Sequence, residues 1–595
     1  MKRIIISIIL FSFFVFCRLE DEKGKEGKNC FDDGTCNEGL ICNIHIWTCV
    51  KEMSCGNCGE NAFCDSFYCK CYTNFGNCNN NWEDGCEIDF NNINSCGTDC
   101  NNIVVCSSSN GYNPICENGR CKLTCNNGYL DCNPYYGLSD GCEKQLDPKY
   151  KWSKNVSTGI IDIEGNSIAA DSLNNIYIAI NTVNSTIDFG GGELTNPENC
   201  VYCHDIFLSK FDSNGNHIWS KRYGGNGIDI TSSIAIDKSN NIFITGYFLS
   251  QSINFGGYNL INISENCYGE YPCLDLFLVK LDSDGNHLWS KSFGGSGDDY
   301  GNSVSVDSSG NVHITGEFSS STIDFGGGAL KNANAGYSDI FLAKFDSNGN
   351  HLWSKRFGGS SDDLGSSVSV DSSGNVYIIG NFKSSTIDFG GGTLTNAGGK
   401  DIYLAKFDSN GNHLWSKRFG GSDGERGYSV SVDSSGNVYI TGGFDSSTID
   451  FGGGALTNAN ATYSDIFLAK FDSNGNHLWS KSFGGSDGER GYSVSVDSSG
   501  NVYITGGFDS STIDFGGGEF TKGVDNDTFL SKFDSNGNNL WSRRFGKSNN
   551  GISFALDLYG YLYTTGCFLG KNIDFGECPI SIPRNCNIFL IKYAP

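Results

Sequence analysis

The sequence predicts an all-β protein, a seven-bladed β-propeller of four-stranded blades that is closed by an N-terminal strand and preceded by a small disulfide-rich region. Three observations predict this fold. A tryptophan recurs through the C-terminal three quarters of the chain, each recurring unit contains two hairpin patterns, and the strand that the last unit lacks stands ahead of the first unit.

The tryptophan repeat fixes the number of blades. Seven of the 9 tryptophans follow one another at intervals of 67, 70, 64, 62, 64 and 62 residues, a period typical of stacked supersecondary units. They are Trp152, Trp219, Trp289, Trp353, Trp415, Trp479 and Trp541. Seven tryptophans therefore predict seven blades.

Each unit reads as two β-hairpins. One half is of the type SVSVDSSGNVYITGGF at 493–508, and the other is of the type DIFLAKFDSNGNHLWSK at 465–481. In both, β-branched and aromatic residues alternate with small or polar ones around an Asp-x-x-Gly-Asn turn, in which Asp bonds the backbone ahead of it and Gly supplies a positive φ. The pattern predicts four strands per unit and no helix.

The two ends of the repeat region predict a closed ring. The last unit stops after NIFLIKYAP at Pro595 with three strands, and it lacks its tryptophan strand. That strand appears at the opposite end, as PKYKWSKNV at 148–156. Pairing the two segments completes the seventh blade and leaves no sheet edge unpaired.

The amino-acid composition and net charge limit the kinds of function and partner that we expect. The 79 glycines and only 2 methionines in 595 residues suit an all-β repeat protein with many turns. The formal net charge of -26 argues against nucleic acid as a partner, because phosphates are bound by Lys and Arg. The same charge favours solubility, cations or basic partners.

The N-terminus predicts export. Residues 1–17, MKRIIISIILFSFFVFC, form a signal-peptide pattern with a basic start and a short apolar run, and residues 18–29 form a charged linker. Three ways of processing remain open: cleavage with release, lipidation at Cys17, or an uncleaved anchor. We expect a bacterial cell-surface or extracellular protein that meets the membrane only through such a lipid or anchor.

Residues 30–146 predict a disulfide-rich region. Nineteen of the 27 cysteines lie between residues 30 and 142, where few apolar runs could build a core. Zinc binding is the competing interpretation, but the spacings do not repeat as paired Cys-x-x-Cys motifs. We therefore expect disulfides in three pieces: a four-cysteine module at 30–49, a second module at 55–78, and cysteine repeats at 78–142.

Two of these pieces resemble known modules. CGNCGENAFCDSFYCKCYTNFGNC at 55–78 resembles an EGF-like module, which implies the pairs Cys55–Cys64, Cys58–Cys69 and Cys71–Cys78. The duplicated phrase NFGNCNNNWEDGCE at 74–87 and NGYLDCNPYYGLSDGCE at 127–143 is similar to cysteine-rich repeats in surface proteins of myxobacteria.

Seven further cysteines lie in the propeller. Proximity in the sequence predicts the pairs Cys200–Cys203, Cys267–Cys273 and Cys578–Cys586, which leaves Cys567. The disulfide-rich region 30–146 also holds an odd number of cysteines, so we hypothesise a disulfide from Cys567 to that region. The alternative is a free thiol in each region.

From Lys149 onward the chain resembles the bacterial SBBP family of seven-bladed repeats. The phrases that carry the resemblance are SVDSSGNVYITG, STIDFGGG and SDIFLAKFDSNGNHLWSK. The family implies the propeller fold and surface or secreted proteins without a defined activity. The resemblance therefore assigns no site.

The strand order predicts which face of the propeller binds. The DSSGN and DSNGN turns share one face, here called the tight-turn face. The opposite long-loop face carries the loops entering each innermost strand, such as GGSDGERGYS, and the connections between the second and third strands. Long loops on a rigid scaffold are where binding sites usually occur.

A row of carboxylates on the long-loop face is the candidate metal site. Oxygen ligands around the channel would suit Ca²⁺, and a solvated rim is the alternative. The row comprises Asp229, Asp299, Asp363, Glu425 and Glu489.

Two other recurring rows are interpreted as structural. An aspartate that starts the third strand in six of the units is expected to cap backbone groups, and a histidine two residues before five of the tryptophans is a repeat signature. The aspartates are Asp205, Asp275, Asp339, Asp401, Asp465 and Asp527. The histidines are His217, His287, His351, His413 and His477. The tryptophans themselves are expected to pack between blades.

No catalytic motif is evident, and no catalytic residue or cofactor other than Ca²⁺ is predicted. The segment GGSDGERGYSVSVDSSGNVYITGGFDSSTIDFGGG occurs identically at 420–454 and 484–518, which leaves little room for blade-specific chemistry. The preferred function is an exported binding or adhesion protein that recognises a protein or glycan. The alternatives are a secreted hydrolase or lyase with an acidic, Ca²⁺-dependent site at the channel mouth, and a structural surface spacer.

Overall fold

The computed structural model divides the chain into two compact units, Met1–Leu146 and Asp147–Pro595. In the second unit it describes all residues except 148, 161–162, 184–185, 197–202, 265, 269–270, 524–526 and 577–579, and in the first only strands between residues 40 and 145. The predicted signal peptide 1–17 with Cys17, the linker 18–29 and the cysteine side chains of the region 30–146 lie outside the described residues. The pairings predicted there remain predictions.

The described parts of the first unit are short antiparallel strand pairs. They are Leu40–Asn43 with Thr48–Lys51, Ala62–Asp65 with Tyr68–Cys71, Phe75–Gly76 with Ile88–Asp89, Tyr112–Glu117 with Arg120–Cys125, and Tyr129–Leu130 with Lys144–Gln145.

The second unit contains seven four-stranded antiparallel sheets, which are the predicted blades. Blade 1 comprises Ile163–Ala170, Ile176–Thr182, Asp205–Phe211 and His217–Tyr223, and blade 2 comprises Asp229–Ile236, Ile242–Phe248, Asp275–Leu281 and His287–Phe293. Blade 3 comprises Asp299–Val306, Val312–Phe318, Asp339–Phe345 and His351–Phe357, and blade 4 comprises Asp363–Val370, Val376–Phe382, Asp401–Phe407 and His413–Phe419. Blade 5 comprises Glu425–Val432, Val438–Phe444, Asp465–Phe471 and His477–Phe483, and blade 6 comprises Glu489–Val496, Val502–Phe508, Asp527–Phe533 and Asn539–Phe545. Blade 7 comprises Lys547–Leu556, Leu562–Ile573, Ile580–Tyr593 and, from the N-terminal side, Tyr150–Ile160.

The seven sheets form a closed ring, as predicted. The first strand of each blade contacts the first strand of the next, and the first strand of blade 7 contacts that of blade 1. Tyr150–Ile160 pairs antiparallel with Ile580–Tyr593, with Trp152 opposite Lys592. The backbone N–H of Ala594 donates to the carbonyl of Lys149 at 2.6 Å, and Arg543 forms an ion pair with Asp147. The first strand of each blade is therefore innermost and the tryptophan strand outermost.

The hydrophobic core is distributed between the blades. Seven clusters of buried residues are found in the described part of the chain, and each combines side chains of two adjacent blades. Trp219 packs against one such cluster, and its Nε1 donates to the carbonyl of Ser283 in the next blade at 3.2 Å. The expected role of the tryptophans between blades is confirmed.

The tight-turn face is built from the predicted Asp-x-x-Gly-Asn turns. In the turn at 212–216, Oδ1 of Asp212 accepts the backbone N–H groups of Asn214 and Asn216 at 2.8 Å, and Gly215 has φ +73°. One aspartate thus satisfies the turn, and glycine takes the left-handed conformation.

The long connections between second and third strands fold into small hairpins in blades 1 to 6. They are Thr186–Asp188 with Glu193–Thr195, Ser252–Asn254 with Asn259–Ile261, Thr322–Ile323 with Leu330–Lys331, Thr386–Asp388 with Thr393–Thr395, Thr448–Asp450 with Ala455–Thr457, and Thr512–Asp514 with Glu519–Thr521. In the first of them Ile187 and Phe189 are buried. These connections therefore add core to each blade.

The repeated histidines lie on the glycines of these hairpins. A methyl group at Gly453 would come within 2.1 Å of Cε1 of His477, so only glycine leaves room for the ring. Nε2 of His477 lies 3.0 Å from Oγ of Ser480 on the same strand. The histidine row is thus a packing feature of each blade.

Three propeller cysteines are described, and all three are in disulfide bonds: Cys203, Cys273 and Cys567. The side chains of Cys200, Cys267, Cys578 and Cys586 lie outside the described residues, so the predicted pairings and the hypothesis for Cys567 stay predictions. No helix among the residues described has the length and apolar character needed to span a membrane.

Candidate functional site

The five carboxylates predicted to surround the channel are buried inside their own blades. Asp363 is fully buried, and its Oδ2 accepts the backbone N–H of Gly359 at 2.8 Å and the hydroxyl of Ser384 at 2.6 Å. Asp229 makes the same contacts with Gly225 and Ser250 at 2.7 Å. Each carboxylate thus ties the loop entering a blade to the start of its long connection.

Burial raises the pKa of every member of this row. The pKa of Asp229 is raised to about 6, that of Asp299 to about 8 and that of Glu489 to about 7, in each case mainly by desolvation and against the hydrogen bonds that favour the charged form. The pKa values of Asp363 and Glu425 are also raised by burial. These shifts follow from the interior position of the row.

The structure does not bring the five carboxylates together. Each is bonded to backbone and serine groups of its own blade, and the described residues contain no group of three or more His, Cys, Asp or Glu side chains placed to hold a metal ion. The hypothesis of a Ca²⁺ site shared by Asp229, Asp299, Asp363, Glu425 and Glu489 therefore gains no support from their geometry.

The second row of aspartates caps backbone groups, as expected, and several members also bind arginine. Oδ2 of Asp339 accepts the backbone N–H of Ala333 and Nε of Arg356, both at 2.6 Å. The same ion pair recurs between Asp401 and Arg418. Further pairs of this kind join Asp205 with Arg222 and Asp527 with Arg544. At the arginine position, blades 2 and 5 have Ser292 and Ser482.

Sequence reasoning missed four residues that stand beside the carboxylates on the long-loop face. Arg426 and Tyr428 follow Glu425, and Arg490 and Tyr492 follow Glu489, at the long-loop end of the innermost strands of blades 5 and 6. We call them the Arg–Tyr pairs. Tyr492 is 40 % exposed and its ring lies 5.8 Å from that of Tyr428, centroid to centroid.

A backbone irregularity presents the two tyrosines. In both blades the register between the first and second strands shifts across one residue, between Gly427 and Ser429 and between Gly491 and Ser493. Tyr428 and Tyr492 are the residues that this β-bulge leaves out of the ladder. Bulges of this kind re-aim side chains and are frequent beside binding sites.

Glycines in the second strands make room for the pairs. A methyl group at Gly443 would lie 3.7 Å from Cγ of Arg490, and one at Gly507 would lie 3.6 Å from Cε2 of Tyr492. The equivalent position holds a larger side chain in the first four blades: Asn181, Tyr247, Glu317 and Asn381. The signal for the site was thus present in the sequence, as GERGY and TGGF occurring together only in blades 5 and 6.

The Arg–Tyr pairs lie in an acidic setting. Arg426 Nη1 donates to Oδ2 of Asp445 at 3.3 Å, and Asp445 also accepts the hydroxyl of Ser464. Nearby phenols and carboxylates raise the pKa of Arg490, against its own desolvation. Both guanidinium groups are therefore held beside hydrogen-bond acceptors.

A second aromatic contact and an acidic residue lie on the same rim in blades 2 and 3. The rings of Tyr247 and Tyr300 are 4.9 Å apart. Burial raises the pKa of Glu317 to about 8, although Asn302 donates to it at 2.5 Å. This carboxyl combines a raised pKa with a place outside the loop-capping row.

The tight-turn face also has a cavity, of about 480 Å³, between blades 3 and 4. Asp307, Lys344, Trp353 and Ser409 are among the residues that line it. Lys344 Nζ and Trp353 Nε1 both donate to the Ser409 carbonyl, at 3.1 and 3.2 Å. The cation and the indole N–H are therefore already used in joining the two blades.

The fold and the rim together define a seven-bladed β-propeller with an open long-loop face that displays arginine and tyrosine. Comparison with known proteins agrees with the fold. Four segments, residues 218–247, 288–317, 352–381 and 414–443, match the family model SBBP, described as a beta-propeller repeat. The chain thus carries SBBP β-propeller repeats, as its phrases predicted.

Other similarities are more distant. The chain is 27 % identical over 174 residues to the WD repeat-containing protein L264 of Acanthamoeba polyphaga mimivirus, a match that covers 28 % of this chain and 12 % of the viral protein. Among solved structures, Sqt1 of Chaetomium thermophilum aligns with TM-score 0.37 at 10 % identity, over 75 % of this chain and 100 % of that one. The β-propeller domain of the trilobed protease of Pyrococcus furiosus aligns with TM-score 0.35 at 8 % identity, over 73 % and 96 %.

Proposed function

We propose that the protein is an exported bacterial surface or secreted binding protein, which holds a ligand on the long-loop face of its propeller. The Arg–Tyr pairs of blades 5 and 6 are the observation that carries this proposal. Arginine and tyrosine are the residue types that most often dominate binding energy at protein surfaces. Here they stand on rigid strands at the mouth of the channel.

The rest of the face supports binding more than catalysis. The carboxylates with raised pKa values that a hydrolase would use, such as Asp299 and Glu489, are bonded to the loops of their own blades. A general acid must reach the substrate, and these groups are fully buried. Glu317 is the remaining candidate for an acid–base role, and it is the residue on which the alternative hydrolase or lyase function depends.

Export is supported by the state of the propeller cysteines. Cys203, Cys273 and Cys567 are in disulfide bonds, which persist in oxidising compartments and are rare in the cytosol. Together with the signal-peptide pattern at residues 1–17, this favours the cell surface or the extracellular medium. The disulfide-rich region 30–146 would then display the propeller.

The test is a binding screen of the full-length secreted protein. The immobilised protein is exposed to a glycan array, to bacterial and host cell surfaces and to their extracted proteins, once with Ca²⁺ and once with a chelator. Saturable binding that is weakened when Arg490 and Tyr492 are both replaced by Ala supports the proposal. Failure to bind any of these surfaces, or hydrolysis of a glycan that stops in the Glu317→Gln variant, would overturn it.

A further inference from the structure

We infer that the Arg–Tyr pairs of blades 5 and 6 are two adjacent half-sites for one neutral polysaccharide chain, each holding one sugar unit. The inference rests on the proposed binding function and specifies its ligand. Four features of the site carry it: the exposure of the pairs, their local charge, their chemistry and their repetition.

The pairs reach the surface on a rigid support: Arg490 and Tyr492 are exposed, whereas Arg426 and Tyr428 are half-buried. Tyr492 is 40 % exposed, and Tyr463, at the end of the long connection of blade 5, is 46 % exposed on the same face. The strands beneath them are locked by the buried carboxylates, since Glu489 accepts the backbone N–H groups of Gly485 and Ser510, both at 3.0 Å. A ligand thus meets aromatic rings whose backbone is already ordered, which reduces the entropy lost on binding.

The local charge disfavours a polyanion. Two arginines face the ligand, but Asp445 pairs with Arg426, and Asp509, whose pKa is raised by burial, lies near Lys522 and Arg490. Asp423 and Asp487 stand on the loops that enter the two strands, and the whole chain carries a net charge of -26. A neutral ligand avoids the repulsion that an acidic polymer would meet here.

The chemistry of each pair matches a sugar. A pyranose ring has an apolar C–H face, which packs on an aromatic ring, and an edge of hydroxyl groups that both donate and accept hydrogen bonds. Tyrosine supplies the ring with a polar tip, and the Arg–Asp pair supplies planar donors next to acceptors. Arg426 with Asp445 shows this arrangement of donor and acceptor directly, at 3.3 Å.

The repetition of the pairs points to a polymer. Residues 420–454 and 484–518 are identical, so the two blades carry the same residue types at the same positions of their inner strands. Their tyrosine rings are 5.8 Å apart, a separation comparable to the length of one sugar residue in a chain. A ligand with a repeating unit can occupy both half-sites at once, and it gains affinity without any new kind of contact.

The experiment measures binding of the full-length protein to soluble polysaccharides of defined composition. The neutral probes are dextran, mannan, galactan and a β-glucan, and alginate and chitosan are the acidic and basic probes. Three variants are compared with the natural chain: Arg426→Ala with Tyr428→Ala, Arg490→Ala with Tyr492→Ala, and all four changes together. Tyr337→Ala is the control, because it removes a tyrosine of similar exposure to Tyr492, 46 % against 40 %, from the long connection of blade 3.

We expect one neutral polysaccharide to bind. Loss of either pair should weaken it about tenfold or more, and loss of both should abolish measurable binding. Oligosaccharides of increasing length from the same polymer should bind more tightly once they span both pairs. Tyr337→Ala should leave affinity unchanged, and unchanged melting temperatures in the variants show that the fold is retained.

Several results would overturn the inference. They are preference for alginate or chitosan, an affinity that does not depend on chain length, or binding that survives the fourfold change. If the natural chain binds a surface component that is a protein, and that binding is insensitive to all four changes, the polysaccharide assignment fails while the proposed binding function stands. If the natural chain binds nothing in the broader screen, both fail.

Discussion

Trp353 and Ser409 belong to neighbouring blades, and a hydrogen bond of 3.2 Å joins the indole Nε1 of the first to the backbone carbonyl of the second. The same contact recurs around the ring from Trp219, Trp289, Trp415 and Trp479. Trp541 differs, because its Nε1 is buried and has no hydrogen-bond partner among the described residues. The outermost strand of a blade is thus bonded to the turn of the next.

The first prediction uses this difference. Trp353→Phe should lower the free energy of unfolding by about 1 kcal/mol more than Trp541→Phe, because only the first change removes a hydrogen bond between blades, whereas Nε1 of Trp541 has no partner to lose among the described residues. Trp353→Ala should lower it by about 3 to 5 kcal/mol, since packing is lost as well. Chemical denaturation of the natural chain and the three variants measures these values. Equal effects of the two Phe changes would contradict the role given to the hydrogen bond.

The second prediction concerns pH. Asp275 and Asp299 are buried at the boundary of blades 2 and 3, and burial raises their pKa values to about 7 and about 8. Because these values lie above the unfolded value of about 4, the folded chain binds more protons. Their contribution to stability is therefore fully present below pH about 4, and it is lost as the pH rises to about 8.

The variant Ser292→Arg tests whether these buried carboxyls cause the pH dependence of stability. It places an arginine where blade 3 has Arg356 beside Asp339, so it should favour the charged form of Asp275 and raise the melting temperature at pH 8 more than at pH 5. Arg356→Ser is the reverse control and should lower the melting temperature mainly at pH 8. A Ser292→Arg variant whose melting temperature shifts equally at the two pH values would show that these carboxyls do not limit stability.

The third prediction concerns closure. Deleting residues 587–595 removes the segment that pairs with both Leu562–Ile573 and Tyr150–Ile160, so the seventh blade cannot form and two sheet edges are left open. We expect loss of secreted, cooperatively folded protein, as followed by scanning calorimetry of the secreted fraction. Deletion of Pro595 alone is the control and should have little effect. A chain lacking residues 587–595 that melts at the original temperature would refute closure by these strands.

The fourth prediction concerns the histidine row. Gly453→Ala should destabilise blade 5, because the added methyl group would meet the ring of His477 at 2.1 Å. His477→Ala removes the ring. The double variant Gly453→Ala with His477→Ala should therefore lose less stability than the two single variants lose together. Thermal unfolding of the four proteins gives this coupling. Additive effects would mean that the ring and the glycine do not meet.

The architecture could be predicted from the sequence because the same strand and turn patterns recur in several blades. The alternation around Asp212 and Gly215 predicts a hairpin, and the displaced strand at Trp152 predicts closure. The same repetition directed the search for a site to one recurring row. The carboxylates of the Asp229 row share one position in five blades, which made them look like ligands around an axis, but a position shared by several blades is also where a structural hydrogen bond recurs.

The Arg–Tyr pairs were overlooked for the opposite reason. They occur in only two blades, within a duplicated segment that had been interpreted as evidence against blade-specific chemistry. Their significance depends on the space beside Gly443 and Gly507 and on the bulge at Tyr428, and neither follows from composition or period. The sequence alone does not show which side chains of neighbouring blades contact each other, and the Arg–Tyr pairs depend on such contacts.

The duplication has a further consequence, for the folding pathway. Strand Val438–Phe444 has the same sequence as Val502–Phe508, so a nascent chain can pair either copy with the inner strand of the other blade at equal local free energy. The ring closes where Ile580–Tyr593 pairs with Tyr150–Ile160. A chain that has exchanged the two copies strains the intervening strands, so we expect it to close the ring less readily than the native pairing does.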